Sequence, residues 1–220
     1  MLTWGSKTYV KRMMENYEQM FGEPVSNRKT YAPLSPNDHP ELDETDFCTE
    51  IQKKHFWSMI GELQWVVALG RFDVHCAVQT MSRFRPQPRI GHLDRLRRIY
   101  RYLKTYPETS IKFNVEEPDY SNYTVLKDAK WGHVYHPCKE EVPPDMPEPK
   151  GKRVVMTTFV DANLMADVKT GRSCTGIIHM FNKTPIGWYS KRQNTVETAT
   201  YGSEFVAARI AVDQIIDLRY

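Results

Sequence analysis

Two acidic side chains in the last third of the chain could together hold a divalent cation. Asp161 follows an apolar, β-branched run that begins at Val154, and Glu204 lies beside Phe205 in a stretch with helical character. A Glu that faces inward is costly unless a cation or another partner neutralises it. Carboxylate oxygens are preferred ligands of Mg²⁺, and paired Mg²⁺ ions drive in-line phosphodiester cleavage. A turn at the end of the strand is the alternative role of Asp161, and the residue taken alone favours it.

The strongest concentration of positive charge lies between Arg83 and Lys104. This stretch holds eight Arg or Lys residues and one acidic residue, Asp94, whereas the whole chain has a formal net charge of +3. Such a surface suits the neutralisation of phosphate groups. Because Arg stems also cover apolar surface, a solvated helix face is the alternative. The candidate nucleic-acid-binding residues are Arg95, Arg97, Arg98, Arg101 and Lys104, together with Lys191 and Arg192 near the candidate metal site.

Hydrophobic periodicity predicts that the first half of the chain is helical. Apolar side chains recur at three- and four-residue steps over residues 9–21, and the pattern stops at Gly22. Two further helices are expected between about residues 53 and 83, with a break at Gly70, and a basic helix is expected over about 91–105. The buried stripe of the basic helix should comprise Leu93, Leu96, Ile99, Tyr100 and Leu103. Helices joined by short connections should form a small bundle.

Two Pro-rich segments interrupt this pattern. Residues 23–47 end in an acidic run, which we interpret as a solvated loop because it lacks the Gly-centred spacing of a calcium loop. Five prolines fall within residues 137–149, a density that excludes a helix and indicates a linker. A short strand is expected at residues 111–115 or 124–126.

After about residue 153 the periodicity changes from helix to strand. The run Val154–Val160 is expected to form a strand that ends at Asp161. Turn signals at Thr170–Arg172 and Asn182–Thr184 delimit two further strands, so three consecutive strands should form an antiparallel meander. A helix is predicted from Thr195 onward. The sequence therefore predicts an α+β chain.

Composition argues against a membrane or secreted protein. The longest uninterrupted apolar stretch, Trp65–Leu69, is far shorter than the roughly 18 residues of a membrane span. No apolar signal segment follows Met1. The four cysteines are scattered and are expected to be reduced thiols. We therefore expect an intracellular protein, cytoplasmic or nuclear, without a membrane partner.

Blocks along the chain resemble, in matching order, the polyproteins of Copia-type LTR retrotransposons. Four blocks are similar to the opening of the ribonuclease H domain: FVDAN (159–163), TGRSCTG (170–176), PIGWYSKRQ (185–193) and ETATYGSEF (197–205). Five blocks are similar to the segment that follows the polymerase palm: FWSMIGEL (56–63), RFDV (71–74), SRF (82–84), GHL (91–93) and RYLK (101–104). These collinear blocks cover about residues 7–112 and 153–220.

The resemblance implies a division of the chain and a role for the two carboxylates. Residues 1–112 would be a helical thumb- or connection-like region, 113–152 a Pro-rich acidic linker, and 153–220 the N-terminal part of a ribonuclease H-like domain. This truncated domain would consist of a three-stranded antiparallel sheet and a helix. Asp161 and Glu204 match the first catalytic Asp and the catalytic Glu of the family, which bind a pair of Mg²⁺ ions and cleave RNA in RNA–DNA hybrids.

Departures from the family pattern imply that this chain is inactive or nearly so. The third catalytic Asp, which should open a later strand, is not reached before Tyr220, and Asp213 and Asp217 point away from Glu204 on a continuous helix. The polymerase motif Tyr-x-Asp-Asp is also absent. Expected partners are an RNA–DNA hybrid or other nucleic acid and the remainder of the polyprotein. The alternative is a non-catalytic nucleic-acid-binding or protein-interaction remnant that uses the basic helix 91–105.

Overall fold

The computed structural model describes residues 2–122, 143–148 and 150–219. In chain order its elements are β1 (Thr3–Gly5), α1 (Lys7–Phe21), α2 (Glu50–Ala68), α3 (His75–Ser82), α4 (Ile90–Thr105), β2 (Ser110–Lys112), β3 (Met156–Asp167), β4 (Arg172–Phe181), β5 (Thr184–Arg192) and α5 (Thr200–Arg219). The predicted α+β class is confirmed. The strand expected at 124–126 lies outside the described residues. Within the described part of the chain, no helix combines the length and the apolar character that crossing a bilayer requires.

Helices α1 to α4 pack around one apolar core, and the buried stripe predicted for α4 is confirmed. All five of its members are buried, and α2 contributes Phe56, Met59, Ile60, Leu63, Val66 and Val67 to the same cluster. Helix α1 ends where predicted because Gly22 adopts a left-handed conformation with φ 72°. Helix α2 begins earlier than predicted, since Thr49 and Gln52 form reciprocal capping hydrogen bonds.

A two-stranded ribbon covers the break between α2 and α3. Strand β1 pairs antiparallel with β2, and this pairing places Trp4 opposite Ile111. The indole Nε1 of Trp4 donates a hydrogen bond to the carbonyl oxygen of Leu69 at 3.0 Å. The next residue, Gly70, has a φ of 101°, a conformation that side chains rarely adopt. The sequence predicted the second strand of this ribbon but not the first.

The C-terminal sheet is the predicted meander, in the order β3-β4-β5. The prediction that its first strand ends at Asp161 is wrong. Pairing with β4 continues beyond it, with Asp161 opposite Gly176, and the strand ends only at Asp167. A register shift follows Asn163, and Met165 has a positive φ of 50°. A polar residue does not end a strand whose neighbour continues to supply hydrogen bonds, and the bulge then bends β3 into its turn.

The two faces of this sheet have different neighbours, because side chains alternate along each strand. We call one the α5 face; it carries Thr158, Ala162, Thr175, Ile177 and His179. The other, the bundle face, carries Asp161, Asn163, Cys174, Gly176, Ile178 and Trp188. Helix α5 lies on the first face, where His179 Nε2 is 2.9 Å from Gln214 Oε1. The helical bundle lies against the second, where the rings of Trp188 and Phe72 are 5.4 Å apart.

Gly70→Ala should lower the free energy of unfolding by about 1–2 kcal/mol, because the backbone there favours glycine. An added Cβ would also lie 3.1 Å from Ile111 Cδ1 and 3.2 Å from Trp4 Cδ1. Gly61 is the matched control, since a Cβ in this middle turn of α2 would have no other atom within 4 Å. Gly61→Ala should raise stability by about 0.5–1 kcal/mol. Urea denaturation measures both variants, and equal effects would contradict the assigned role of Gly70.

Candidate functional site

Asp161 lies on the bundle face of the sheet. Its side chain is exposed and borders a cavity of about 720 Å³ between the sheet and the helical region. Across the strands it is followed by Gly176 and then Ser190. The register therefore directs this carboxylate towards the helical bundle and away from α5.

Glu204 lies on α5, the helix that covers the other face of the sheet. The buried side of α5 is formed by Ser203, Ala207 and Ala211, which pack towards the α5 face. Glu204 is half-buried at the margin of this stripe. The register directs Asp161 to the bundle face, whereas α5 covers the other face, so this arrangement does not by itself support a site that both carboxylates share.

The structure gives no direct evidence of a Mg²⁺ site that Asp161 and Glu204 share. Among the described residues, no group of three or more His, Cys, Asp or Glu side chains is arranged to hold a metal ion. A hard cation such as Mg²⁺ needs several oxygen ligands in near-octahedral geometry. The assignment of these two residues as metal ligands and catalytic groups stays a prediction, and the strand register gives it no support.

Asp167 joins the helical bundle to the sheet. Its side chain is only 4% exposed and accepts hydrogen bonds from Arg83 of the helical region and from Arg192 of β5. Its other carboxylate oxygen accepts a hydrogen bond from the backbone N–H of Thr170 at 3.0 Å, within the turn that follows β3. Burial alone would raise the pKa of Asp167, but the bonds from Arg192 and Thr170 and the charge of Arg83 lower it. Arg192, a predicted nucleic-acid contact, therefore has an internal partner.

Basic side chains of helix α4 point towards the Pro-rich segment 23–47. Arg95 forms ion pairs with Asp38, at 2.8 Å, and with Asp43. The carboxylate side chains are 13% and 6% exposed, respectively. Arg98 Nε donates to a backbone carbonyl in the same segment, that of Ala32, at 3.2 Å.

Lys104 is held in the same way. Its Nζ donates a hydrogen bond to the carbonyl oxygen of Val25. Three of the five basic residues proposed for nucleic-acid contact on α4 are therefore bound to residues of the segment 23–47. Their charge and hydrogen-bonding capacity serve the fold.

The interpretation of the acidic run as a solvated loop is wrong for three of its members. Asp38, Glu41 and Asp43 have side chains that are 13%, 6% and 6% exposed. Burial of a carboxylate is tolerated here because guanidinium groups neutralise it and satisfy its oxygens. Burial would raise the pKa of Asp43, but hydrogen bonds from Thr45 and Arg95 lower it below its ordinary value.

Arg97 and Arg101 are the remaining two of the five candidate basic residues on α4. Arg97 forms an ion pair with the exposed Asp94, and its guanidinium lies 4.8 Å from the ring centroid of Phe21. The Nε atoms of both arginines are buried and lack a hydrogen-bond partner within the described part of the chain. Both border a pocket of about 330 Å³, lined also by Tyr17, Glu23, Pro24, Val25 and Ser26. Lys191, the remaining predicted contact, is exposed.

The larger cavity holds a pair of cysteines that sequence reasoning did not predict. Cys76 of α3 and Cys174 of β4 contact each other there. Cys48, Cys76 and Cys174 are free thiols, as expected. No spacing motif links residues so distant in sequence, so only the tertiary contact between α3 and the sheet reveals the pair.

Comparisons with known proteins give distant similarity to retrotransposon proteins. The chain is 24% identical over 96% of its length to the retrovirus-related Pol polyprotein from transposon TNT 1-94 of Nicotiana tabacum. It is 23% identical over 90% of its length to the Pol polyprotein from transposon RE1 of Arabidopsis thaliana. The chain resembles a segment of retrotransposon Pol polyproteins. It spans 13% of the tobacco protein and 11% of the Arabidopsis protein.

A third relative is named as a secreted effector protein and not as a Pol polyprotein. The chain is 22% identical over 73% of its length to secreted RxLR effector protein 161 of Plasmopara viticola, of which it spans 89%. No family model matches the chain. No solved structure matches it either. The similarities support a fragment of a transposon polyprotein and leave its activity to be proposed.

The lowered pKa of Asp167 predicts the pH dependence of stability. A carboxylate whose folded pKa lies below its ordinary value of 3.8 stabilises the protein above that pH. This stabilisation is lost as the pH falls through the folded pKa, because protonation breaks the pairs with Arg83 and Arg192. The free energy of unfolding should therefore decrease below about pH 4, and Asp167→Asn should make that decrease shallower.

Urea denaturation over a pH series measures this dependence, and Asp217→Asn, on the exposed side of α5, is the control. The control should retain the slope of the unaltered protein. An identical slope in all three proteins would show that Asp167 does not carry this pH dependence.

Proposed function

We propose that the chain is a segment of a Copia-type retrotransposon polyprotein. It would span the thumb- or connection-like part of the reverse transcriptase and the start of the ribonuclease H domain. The similarity to two Pol polyproteins over at least nine-tenths of the chain supports this proposal. So do a helical bundle and a three-stranded meander that follow each other in the expected order.

We propose further that Asp161 and Glu204 do not form a hydrolytic centre in this segment. The register of β3 supports this proposal, since Asp161 pairs with Gly176 on the bundle face while α5 covers the other face. Cleavage of RNA in an RNA–DNA hybrid by paired metal ions requires carboxylates that clasp the same ions. The role of this segment within its polyprotein is then structural, as a packed unit of bundle, sheet and helix.

A labelled RNA–DNA hybrid incubated with Mg²⁺ tests this conclusion. The unaltered chain should give no cleavage above buffer, because the register directs Asp161 away from the face that α5 covers. Asp161→Asn and Glu204→Gln should behave like the unaltered chain. A ribonuclease H in parallel shows that the substrate is competent. Mg²⁺-dependent turnover that Asp161→Asn abolishes would refute the proposal.

Nucleic-acid binding is a second candidate function, and one observation favours it. Arg97 and Arg101 lie one helical turn apart at the edge of the smaller pocket, with buried Nε groups that lack a described partner. Ser26 adds a hydroxyl to the same pocket, and Arg28 and Lys29, two and three residues later, are exposed. Guanidinium groups grouped in this way are suited to a backbone phosphate. Of the five residues on α4 predicted to contact nucleic acid, only Arg97 and Arg101 would then do so.

Arg101→Gln should weaken binding of a short RNA–DNA hybrid and reduce the slope of log affinity against log salt by about one. Arg209→Gln is the matched control, because Arg209 is an exposed arginine on α5. It should leave the slope unchanged. Fluorescence anisotropy over a salt series measures both. Equal slopes in the two variants would exclude a phosphate contact at Arg101 and leave the structural role untouched.

A further inference from the structure

Cys76 and Cys174 face each other across the junction between the helical bundle and the sheet. Cys76 is exposed to the 720 Å³ cavity, and Cys174 borders the same cavity from the bundle face of β4. Ser190 Oγ lies 3.8 Å from Cys174 Sγ and also contacts the Cys76 thiol. The cavity gives a small reagent access to two neighbouring thiols.

The surroundings of the pair make its two thiols unequal. A hydrogen bond from Cys174 lowers the pKa of Cys76 to about 6, against the opposing effect of burial, and the Ser190 and Thr80 hydroxyls and the Arg83 charge assist. The same contact, together with burial, raises the pKa of Cys174. These opposite shifts favour ionisation of Cys76 over ionisation of Cys174, with Cys174 as the thiol that donates to it. A thiolate that a reagent can reach is the nucleophilic form of cysteine.

We propose that Cys76 is a site of oxidation by hydroperoxides and that Cys174 resolves the oxidised form into a disulfide. This disulfide would join α3 covalently to β4. The proposal does not depend on the role of the chain in nucleic-acid chemistry, because it uses the contact between the two thiols and the cavity on which both open.

Hydrogen peroxide supplies the oxidising equivalents in two steps. The Cys76 thiolate attacks one peroxide oxygen, the O–O bond breaks, and the other oxygen leaves as hydroxide and takes up a proton to form water. Cys76 is then a sulfenic acid. The Cys174 sulfur attacks the Cys76 sulfur, the S–O bond breaks and a second water leaves with the thiol proton. Two thiols lose two hydrogen atoms, and one peroxide is reduced to two waters.

Cys48 provides an internal control within the same chain. It is 4% exposed in the helical core, and burial raises its pKa. It should therefore react slowly with peroxide and with alkylating agents. Cys138 lies outside the described residues, and peptide mapping reports on it separately.

The experiment treats the reduced full chain with stoichiometric hydrogen peroxide and maps its peptides by mass spectrometry. We expect an intramolecular Cys76–Cys174 disulfide, seen as linked peptides that have lost two hydrogen atoms. In Cys174→Ser, dimedone should trap a sulfenic acid at Cys76, because no thiol resolves it. Cys76→Ser should give neither product, and Cys48→Ser should oxidise like the unaltered chain.

A second measurement separates reactivity from folding. With limiting iodoacetamide at neutral pH, Cys76 of the native chain should be alkylated about tenfold faster than Cys48, and guanidinium chloride should abolish the difference. Alkylation of Cys76 no faster than of Cys48 in the native chain would overturn the proposal. So would equal trapping of sulfenic acid at Cys76 in the unaltered chain and in Cys174→Ser, since Cys174 would then resolve nothing.

Discussion

The buried carboxylate of Asp167 is the contact on which the arrangement of the molecule depends. It accepts hydrogen bonds from Arg83 of the helical region and Arg192 of β5, and so links two parts that are far apart in sequence. An anion with 4% of its side chain exposed requires both cations, because a buried carboxylate without partners would be strongly unfavourable. The pairing fixes the bundle face of the sheet against the helices. The register of β3 then directs Asp161 towards the bundle, while α5 occupies the other face.

Pairing of charged groups within the protein also accounts for the basic side chains of α4. Most of the positive charge on α4 is neutralised or hydrogen-bonded by the segment that precedes α2, with Arg95 between Asp38 and Asp43 as the central contact. A charge count over residues 83–104 suggests a surface for phosphates, yet the counter-ions lie more than forty residues upstream. Arg97 and Arg101 remain as the part of this helix that could still meet a ligand.

Local patterns predicted the elements well, and long-range pairings account for what they missed. The end of α1 at Gly22 and the buried stripe of α4 follow from periodicity and capping within single elements. The extension of β3 past Asp161 depends on β4, and the burial of Asp43 depends on Arg95. Neither has a signature in nearby residues. The candidate carboxylates were therefore identified by resemblance, while their relative placement needed the register of the whole sheet.

A crystal structure of the full chain grown with Mn²⁺ tests the separation of Asp161 and Glu204 most directly. Mn²⁺ takes the oxygen ligands that Mg²⁺ takes, and its anomalous scattering locates it. The strand register predicts the two carboxylates on opposite faces of the sheet, with no Mn²⁺ bound between them. A Mn²⁺ peak within about 2.5 Å of oxygen atoms from both side chains would contradict this arrangement and establish the shared cation site.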